Sequence, residues 1–370
     1  MRVLLTGGGT AGHINPALAI AETIRMNDPS AVIEFVGIKN GKECDLVPRE
    51  GYRLHFVRSM GIRRSLSPAN VKALYLALMS PYFKDTVSIL KEFKPDIVIG
   101  TGGYACWPIM AAAARMKIPT AVHESNALPG LAIRRLQKKV DRIWINFDKT
   151  EALLKTKTPI VKVGNPLRQG FGALTREQAR RELGLSKEQK LVLSFGGSLG
   201  AHEVNRAVLA MMHQRAGKNK NVFFVHAAGK QNYASVKVDF DSMGLDQCEN
   251  CRLFDYIYDM PVYIAAADVV ISRAGAMTLS ELALMKKAAV LIPSPNVADN
   301  HQYKNAKTLS DASAAFLIEE PALRTGALSD AVWKLLSDPE AKGILEKNIS
   351  AFAQADANRL IWNEIKEMTK

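Results

Sequence analysis

Cysteine is scarce in this chain of 370 residues, with four at positions 44, 106, 248 and 251. That number is too small for a disulfide-stapled fold of this size, so we expect reduced thiols. Cys248 and Cys251 have the CxxC spacing, but no second CxxC or HxxxH motif accompanies them. A metal or redox site at this pair is therefore the less favoured interpretation.

Apolar runs long enough to span a bilayer are also missing. Two long uncharged stretches occupy residues 3–21 and 97–114, and both are interrupted by several glycines. A spanning helix needs about 20 mostly apolar residues, and the core of a signal peptide is less polar than the first stretch. We therefore expect a cytoplasmic protein without a signal peptide or transmembrane helix.

Motifs for metals and nucleic acids are absent as well. His123 and Glu124 are adjacent but lack HExxH spacing, and the DxD-like residues 239–241 lie in a polar stretch that we interpret as a solvated loop. No RNP, helix-turn-helix or zinc-finger pattern occurs. We expect no metal, no cofactor and no nucleic-acid partner.

Acidic residues are outnumbered, 36 against 49 basic ones, giving a net charge of +13. Residues 1–160 carry 23 basic and 13 acidic side chains, whereas residues 161–370 carry 26 and 23. The first half should therefore face something anionic. Net charge alone does not choose among nucleic acid, a membrane surface and a phosphorylated substrate.

Short β-branched segments alternate with helical segments along the chain, a pattern typical of parallel sheets covered by helices. Strands are predicted at 3–5, 32–38, 54–57, 96–100, 120–123, 142–145 and 161–163, and then at 190–195, 222–226, 252–254, 268–272, 289–292 and 315–318. We therefore expect an α/β fold with two doubly wound, Rossmann-like domains, 1–163 and 164–344, facing across a cleft. Helices are predicted at 327–337 and 340–367, and the last part, about 345–370, could pack back on the first domain.

Each half opens with a strand, a glycine loop and a helix, at residues 3–12 and 192–200. Such loops present backbone N–H groups to a phosphate, and 196–200 is the stronger candidate, with a plain turn as the alternative. The Gly7-x-Gly9-x-x-Gly12 match to a dinucleotide fingerprint is weak, because one NAD site would explain only one loop. His13 at the helix start is a candidate general base, or an ordinary polar residue there.

Residues 271–281 carry the most informative pattern. Arg273 follows a strand and could pair with a diphosphate. Glu281 could accept hydrogen bonds from ribose hydroxyls, although a capping box with Thr278 is the alternative. Residues 299–302 open another helix after a strand, where they could contact sugar hydroxyls or cap the helix.

Taken in order, six motifs resemble the MurG family of N-acetylglucosaminyltransferases, which convert lipid I to lipid II in peptidoglycan synthesis. They are GGTAGH at 8–13, GGY at 102–104, HExN at 123–126, VGNPLR at 163–168, GGSLGA at 196–201, and SRAG at 272–275 with SE at 280–281. The resemblance spans essentially the whole chain. It implies a GT-B fold, UDP-N-acetylglucosamine (UDP-GlcNAc) as donor, lipid I as acceptor, inversion at the anomeric carbon and a β-1,4 linkage.

The resemblance also implies site residues. Catalysis would fall to His13 and Glu124, either of which could be the base. The residues that would bind the donor are Thr10, Gly12, Asn126, Arg168, Ser198, Ile257, Arg273, Met277, Thr278, Glu281, His301 and Gln302. Glutamine is common in the family where this chain has Ser125, Leu199 and His301, so the sugar contacts are open.

The segment 58–94 carries seven basic and two acidic residues around the uncharged run 73–83. We expect Leu74 and Leu78 to form the core face of a helix. Leu76, Met79 and Phe83 would then contact the anionic inner-membrane surface, as a peripheral site on its cytoplasmic face. Other cell-wall synthesis proteins are further candidate partners.

Three rival functions remain open at this point. They are a nicotinamide-dependent dehydrogenase, a hydrolysing UDP-sugar epimerase of the same two-domain plan, and a non-enzymatic basic surface-binding protein. UDP should stabilise a transferase or an epimerase against heat, whereas NAD should not.

Overall fold

A computed structural model describes residues 1–60, 69–197 and 200–370. Their contacts divide the chain into two compact units, residues 1–168 with 354–370, and residues 169–353. All thirteen strands predicted from the sequence are present, with ends shifted by at most one residue. The predicted α/β class with two parallel sheets is confirmed.

The first unit is built on a seven-stranded parallel sheet of order β3-β2-β1-β4-β5-β6-β7. Its strands are β1 (Arg2–Thr6), β2 (Val32–Gly37), β3 (Arg53–Phe56), β4 (Ile97–Gly100), β5 (Thr120–Glu124), β6 (Arg142–Ile145) and β7 (Ile160–Lys162). Its helices are α1 (Ala11–Asn27), α2 (Glu43–Arg49), α3 (Ala69–Met79), α4 (Lys84–Phe93), α5 (Cys106–Arg115), α6 (Leu131–Leu136), α7 (Asp148–Glu151) and, from the end of the chain, α16 (Ala357–Met368).

Helices cover both faces of this sheet, which is why the central strands β1 and β4 are mainly continuous apolar runs rather than alternating ones. One face packs against α1 and α16, the other against α4, α5 and α6. The indole of Trp144, fully buried in β6, donates to Glu364 of α16 over 3.2 Å. The last helix is thus a structural part of the first unit.

The second unit has a six-stranded parallel sheet of order β10-β9-β8-β11-β12-β13. Its strands are β8 (Lys190–Phe195), β9 (Val222–Ala227), β10 (Cys251–Phe254), β11 (Val269–Ser272), β12 (Ala289–Leu291) and β13 (Phe316–Leu317). Its helices are α8 (Arg176–Glu182), α9 (His202–Arg215), α10 (Tyr233–Ser242), α11 (Met260–Ala266), α12 (Ala276–Leu284), α13 (His301–Asp311), α14 (Ala327–Ser337) and α15 (Pro339–Ser350).

Two sequence expectations for loops and helices are wrong. The single helix predicted over 340–367 is two helices, α15 in the second unit and α16 in the first. Residues 239–241, predicted as a loop, lie in α10, with both aspartates exposed on its outer side.

The division between the units falls after Arg168, five residues beyond the seam placed at 163. Backbone groups of the intervening segment are held by the first unit, which explains the shift. The carbonyl of Gly164 accepts a hydrogen bond from His123 over 2.8 Å. Asn358 of α16 accepts from the N–H of Leu167 and donates to its carbonyl, at 3.1 and 2.8 Å.

Each strand order reverses once, between β1 and β4 in the first sheet and between β8 and β11 in the second. Ligands of open α/β sheets bind beyond the carboxyl ends of the strands at such a reversal. The glycine loops after β1 and β8 lie at these two points. Within the described ranges, none of the helices combines the length and apolarity that crossing a bilayer requires.

Candidate functional sites at the strand ends

In the first unit, the loops after β1 and β4 are neighbours because these strands pair directly. Thr101, which follows β4, donates its hydroxyl to the carbonyl of His13 over 2.6 Å. A Cβ on Gly102 or Gly103 would lie 2.9 or 3.1 Å from the imidazole of His13. Glycine at these positions therefore lets the β4 loop pack closely against the ring.

His13 is the third residue of α1. Its Nδ1 lies 3.0 Å from the hydroxyl of Thr10, the N-cap residue of the same helix. When Nδ1 carries the proton and donates it to this hydroxyl, Nε2 keeps the lone pair that a base needs. Thr10 and Gly12 are exposed beside the ring. The structure thus gathers three of the predicted residues at one helix start.

Glu124, the other catalytic candidate, is buried at the end of β5. Its Oε1 accepts from the backbone N–H of Asn126 at 2.9 Å and from the side-chain amide at 3.1 Å. Its Oε2 accepts from the N–H of Gly130 at 2.7 Å. Burial raises the pKa of Glu124, and these hydrogen bonds oppose the rise. The carboxyl group thereby shapes the loop 125–130, to which Asn126 belongs.

His123 lies in the protein interior and makes hydrogen-bond contacts with its own surroundings. It is fully buried, and its Nδ1 lies 3.3 Å from the Ser125 hydroxyl. Burial lowers the pKa of His123 to about 4, so the ring is neutral at physiological pH.

Arg168, expected at the donor, pairs with Glu50 at 3.0 Å and lies 3.9 Å from Glu22.

In the second unit, the glycine loop runs from the end of β8 to α9. Ser198 lies outside the described residues. Gly200 has a φ of +72°, and a Cβ there would lie 2.2 Å from the carbonyl oxygen of Ala228. Only glycine fits this close approach to the loop after β9.

Arg273 follows β11 and is engaged within the protein. Its Nη1 donates to the carbonyls of Ile292 and Pro293, at 3.1 and 3.2 Å, and its Nη2 donates to Glu320. The guanidinium therefore links the ends of β11 and β12 to the segment Glu320–Thr325. Sequence reasoning missed Glu320, which no motif marks.

Glu281 lies in the second half of α12, whose N-cap is Gly275. Thr278 is therefore inside the helix, and the predicted alternative of a capping box is wrong. Glu281 keeps part of its surface exposed, yet burial of its carboxyl group raises its pKa to about 7. Among the described residues the carboxylate makes no hydrogen bond or ion pair. Met277 and Thr278 lie half-buried one turn earlier on the helix.

The remaining donor candidates follow β10 and β12, at the same carboxyl edge of the second sheet. Ile257, three residues beyond β10, is 3% exposed. Gln302 in the first turn of α13 accepts from the N–H of Ser294 over 2.9 Å, which ties the helix to the loop after β12. Asn300 is the N-cap residue but makes no side-chain cap, so capping by it is not observed. His301 begins the helix and is half-buried.

An aromatic group that sequence reasoning missed flanks Ile257. Tyr256 and Tyr258 meet edge to face at 4.9 Å. Lys230 lies over both rings and donates to the Tyr258 hydroxyl at 3.0 Å. No spacing rule links residue 230 to this pair, because the contact depends on β9 and β10 being neighbours in the sheet.

The apolar surface of α3 differs from its prediction. Val71, Leu74, Tyr75 and Leu78 are 49–74% exposed, whereas Leu76 is half-buried and Ala73 fully buried. The expectation that Leu74 and Leu78 form the core face is wrong, because the helix turns their i, i+3, i+4, i+7 stripe outward. Met79 is 40% exposed, and Phe83 is half-buried against Tyr75 and Arg58.

The described parts of the chain contain no cluster of three or more His, Cys, Asp or Glu side chains arranged to hold a metal ion. Cys248 and Cys251 are free thiols, and burial raises the pKa of Cys251 to about 12.

Comparison with known proteins matches both halves. Residues 3–145 match the glycosyltransferase family 28 N-terminal domain, and residues 191–361 match its C-terminal domain. A structure of Acinetobacter baumannii MurG superposes with a TM-score of 0.76 at 24% identity over 99% of both chains. A Neisseria meningitidis UDP-GlcNAc 2-epimerase bound to UDP-GlcNAc superposes with a TM-score of 0.62 at 14% identity. These two likenesses show the fold.

Sequence relatives decide the family. Proteins from Acetivibrio thermocellus and a Thermoanaerobacter species are 39% and 38% identical, over the whole of this chain and 99% or more of their own. Both are named UDP-N-acetylglucosamine–N-acetylmuramyl-(pentapeptide) pyrophosphoryl-undecaprenol N-acetylglucosamine transferase. The chain therefore belongs to this family of transferases within glycosyltransferase family 28.

Proposed function

We propose that the protein transfers N-acetylglucosamine from UDP-GlcNAc to the C4 hydroxyl of the muramoyl sugar of lipid I, giving lipid II with inversion at the anomeric carbon. Identity of 39% along the whole chain to a relative named for this transfer carries the proposal. The epimerase shares the fold at 14% identity, which gives no comparable support to that rival.

His13 is the proposed general base. A base must take the acceptor's proton as the C4 oxygen attacks, which typically supplies 10²- to 10⁴-fold in rate. The Nδ1 contact with Thr10 supports this role, since a proton on Nδ1 puts the basic lone pair of the neutral ring on Nε2. Glu124 already accepts three hydrogen bonds from its own loop, which favours a role in shaping the acceptor site.

The second unit is proposed to bind the donor. Glu281 is suited to a ribose diol, because its carboxylate lacks partners among the described residues and two hydroxyls would supply them. Backbone N–H groups of the loop 196–200, with Ser198 and Arg273, would stabilise the charge that develops on UDP as it leaves. Ile257 and Met277 would flank uracil, and Gln302, with Thr278 and His301, would contact the donor. Thr10, Gly12, Asn126 and Arg168 are the proposed donor contacts from the first unit.

A peripheral site for anionic lipid is proposed on the first unit, at the cytoplasmic face of the membrane. The exposed stripe of α3 supplies apolar side chains, and Arg115 stacks on exposed Tyr82 at 4.2 Å nearby. Apolar burial and basic side chains together favour binding at a bilayer surface. Lipid I is membrane-bound, so such a site would bring the enzyme to its acceptor.

The test of the transfer uses radiolabelled UDP-GlcNAc, purified full-length protein and lipid I in detergent. Label should move to a lipid-extractable product, and only when lipid I is present. Release of free sugar or conversion to an epimer, with no labelled lipid, would contradict the proposal. A His13→Ala protein is the matched control for contaminating activity.

A further inference from the structure

Glu43 has no role in the mechanism above and is not marked by any motif. It begins α2, after the turn that follows β2, and is 1% exposed. Glutamate is seldom this buried, because removing a carboxylate from water is costly unless hydrogen bonds replace the lost hydration. The position of this side chain therefore needs an explanation.

The carboxylate joins two loops at the carboxyl ends of β1 and β2. Its Oε2 accepts from the backbone N–H of Gly9 at 3.1 Å, and its Oε1 accepts from the N–H of Ile38 at 3.0 Å. Gly9 belongs to the loop that leads into α1, one residue before Thr10. Glu43 thus fixes the backbone of the loop that leads into α1, the helix that carries the proposed base His13.

Three glycines make room for this carboxylate. A Cβ on Gly8, Gly37 or Gly41 would lie 2.4–2.5 Å from side-chain atoms of Glu43. At that distance the carboxylate would have to move. The side chain of Glu43 therefore occupies space that a side chain at any of these three positions would enter.

Tyr104 lies close to the same glycine loop and is affected by the charge of Glu43. Its ring packs on Gly9, where a Cβ would lie 2.7 Å from it. Burial raises the pKa of Tyr104, and the negative charge of Glu43 raises it further. Tyr104 and Glu43 therefore both lie against Gly9, close enough for the charge of the carboxylate to affect the phenol.

We propose that Glu43 is a positioning residue for the proton transfer. By fixing Gly9 it sets Thr10, whose hydroxyl orients the His13 ring; this inference rests on the proposed function. In the step itself, the acceptor hydroxyl gives its proton to His13 Nε2, its oxygen bonds to the anomeric carbon, and UDP leaves with the electron pair. Glu43 receives no proton.

The main experiment compares Glu43→Gln with Asp141→Asn. Glutamine keeps the shape but directs an NH₂ group at one of the two N–H donors. Asp141 is the matched control, since it accepts from the N–H of Thr120 at 2.9 Å, at the opposite end of the same sheet. We expect E43Q to lower kcat about tenfold, a fraction of the effect of a general base, with the UDP-GlcNAc KM nearly unchanged. D141N should lower Tm but keep kcat.

Gly41→Ala supplies an independent variant, because it displaces the carboxylate without touching the loop of His13. It should reproduce the loss in kcat, and the double variant with E43Q should lose little more. If E43Q does not fold, G41A carries the same readouts. Equal kcat losses in E43Q and D141N, or wild-type kcat in both E43Q and G41A, would overturn the proposal.

A readout without turnover separates this inference from the proposed function. The imidazole ¹⁵N signals of His13, assigned with His13→Asn, should shift in E43Q and G41A but not in D141N. Unshifted signals in both variants would contradict positioning by Glu43. Absence of transfer by the wild type would instead overturn the proposed reaction and leave the NMR result to decide the inference.

Discussion

Arg273 and Glu320 form an ion pair, although 47 residues separate them in the chain, and both side chains are less than a fifth exposed. The pair connects the end of β11 with the segment after β13, at the edge where the donor is proposed to bind. Arg273 also donates to two carbonyls after β12. Its guanidinium could therefore serve the fold, the diphosphate or both.

A double-variant cycle separates these roles. Arg273→Ala leaves a largely buried carboxylate without its partner and should cost roughly 2 kcal/mol in the free energy of unfolding. It should also raise the donor KM. The double variant with Glu320→Ala should recover part of the stability but not the KM, as measured by urea unfolding and initial rates. Recovery of the donor KM as well would show that Arg273 stabilises the fold and does not bind the donor.

Glu281 gives a prediction about pH and stability. Burial raises its folded-state pKa from 4.5 to about 7, so between these pH values the folded state binds more protons than the unfolded state. The free energy of unfolding therefore falls as pH rises through this window. Glu281→Gln, which stays neutral, should have a higher Tm than wild type at pH 8 and a similar Tm at pH 4.

The same variant should raise the donor KM strongly, because glutamine is a poorer acceptor for two ribose hydroxyls. A lower Tm at pH 8 with an unchanged KM would contradict both parts and point to a structural carboxylate. Leu284→Met is a suitable control, since it changes the same helix without altering charge, at a position that has no role in the proposed donor site.

The strands were predictable because a parallel sheet covered on both faces demands short, continuous apolar segments bounded by turns. The break between α15 and α16, in contrast, was not predictable from the sequence. Residues 351–356, AFAQAD, contain no glycine or proline and favour helix by propensity. Tertiary contacts decide the break, among them the two hydrogen bonds between Asn358 and Leu167.

At the candidate sites, the glycine patterns predicted where the loops lie but not which side chains from other elements contact the site residues. Glu43 approaches Gly9, and Glu320 approaches Arg273, only because of the order in which the strands pair. On α3 the sequence offers leucine at 74, 76 and 78, so apolar character alone does not say which side faces outward. The structure settles this, with Leu74 and Leu78 exposed.

Thr10 is predicted to assist His13 by fixing its tautomer. His13→Ala should lower kcat by 10²- to 10⁴-fold with little change in Tm. Thr10→Val should lower kcat far less, and Thr10→Ser, which restores the hydroxyl, should recover it. Initial rates at saturating donor and acceptor concentrations test this ranking of the three variants by kcat. Equal activity of the valine and serine variants would exclude the hydroxyl contact from catalysis.

Metal dependence is a separate test of the leaving-group proposal. Backbone N–H groups and a guanidinium can stabilise a diphosphate, so EDTA is expected to leave most of the transferase activity. The measurement is the initial rate before and after dialysis against EDTA. Full inhibition that Mg²⁺ reverses would show that UDP leaves with the help of a metal ion.

Binding to anionic lipid should depend on the exposed stripe of α3. Leu74→Glu/Leu78→Glu places two charges where the wild type presents side chains that are 49% and 61% exposed. Because these side chains already face outward, the fold should be retained, as circular dichroism would check. Co-sedimentation with phosphatidylglycerol vesicles should fall sharply for this variant. Wild-type binding should weaken with salt, since each nearby basic residue contributes about 1 kcal/mol that salt screens.

The matched control lies in the second unit. Val238 is 67% exposed on α10, so Val238→Glu adds a charge to an equally open helix position outside the proposed lipid site. It should bind vesicles as the wild type does. If the α3 variant also sediments like wild type, or if the wild type fails to bind anionic vesicles at low salt, the stripe is not a lipid-binding surface. Loss of binding in the α3 variant together with unchanged transfer to lipid I in detergent would assign the stripe to membrane docking rather than to catalysis.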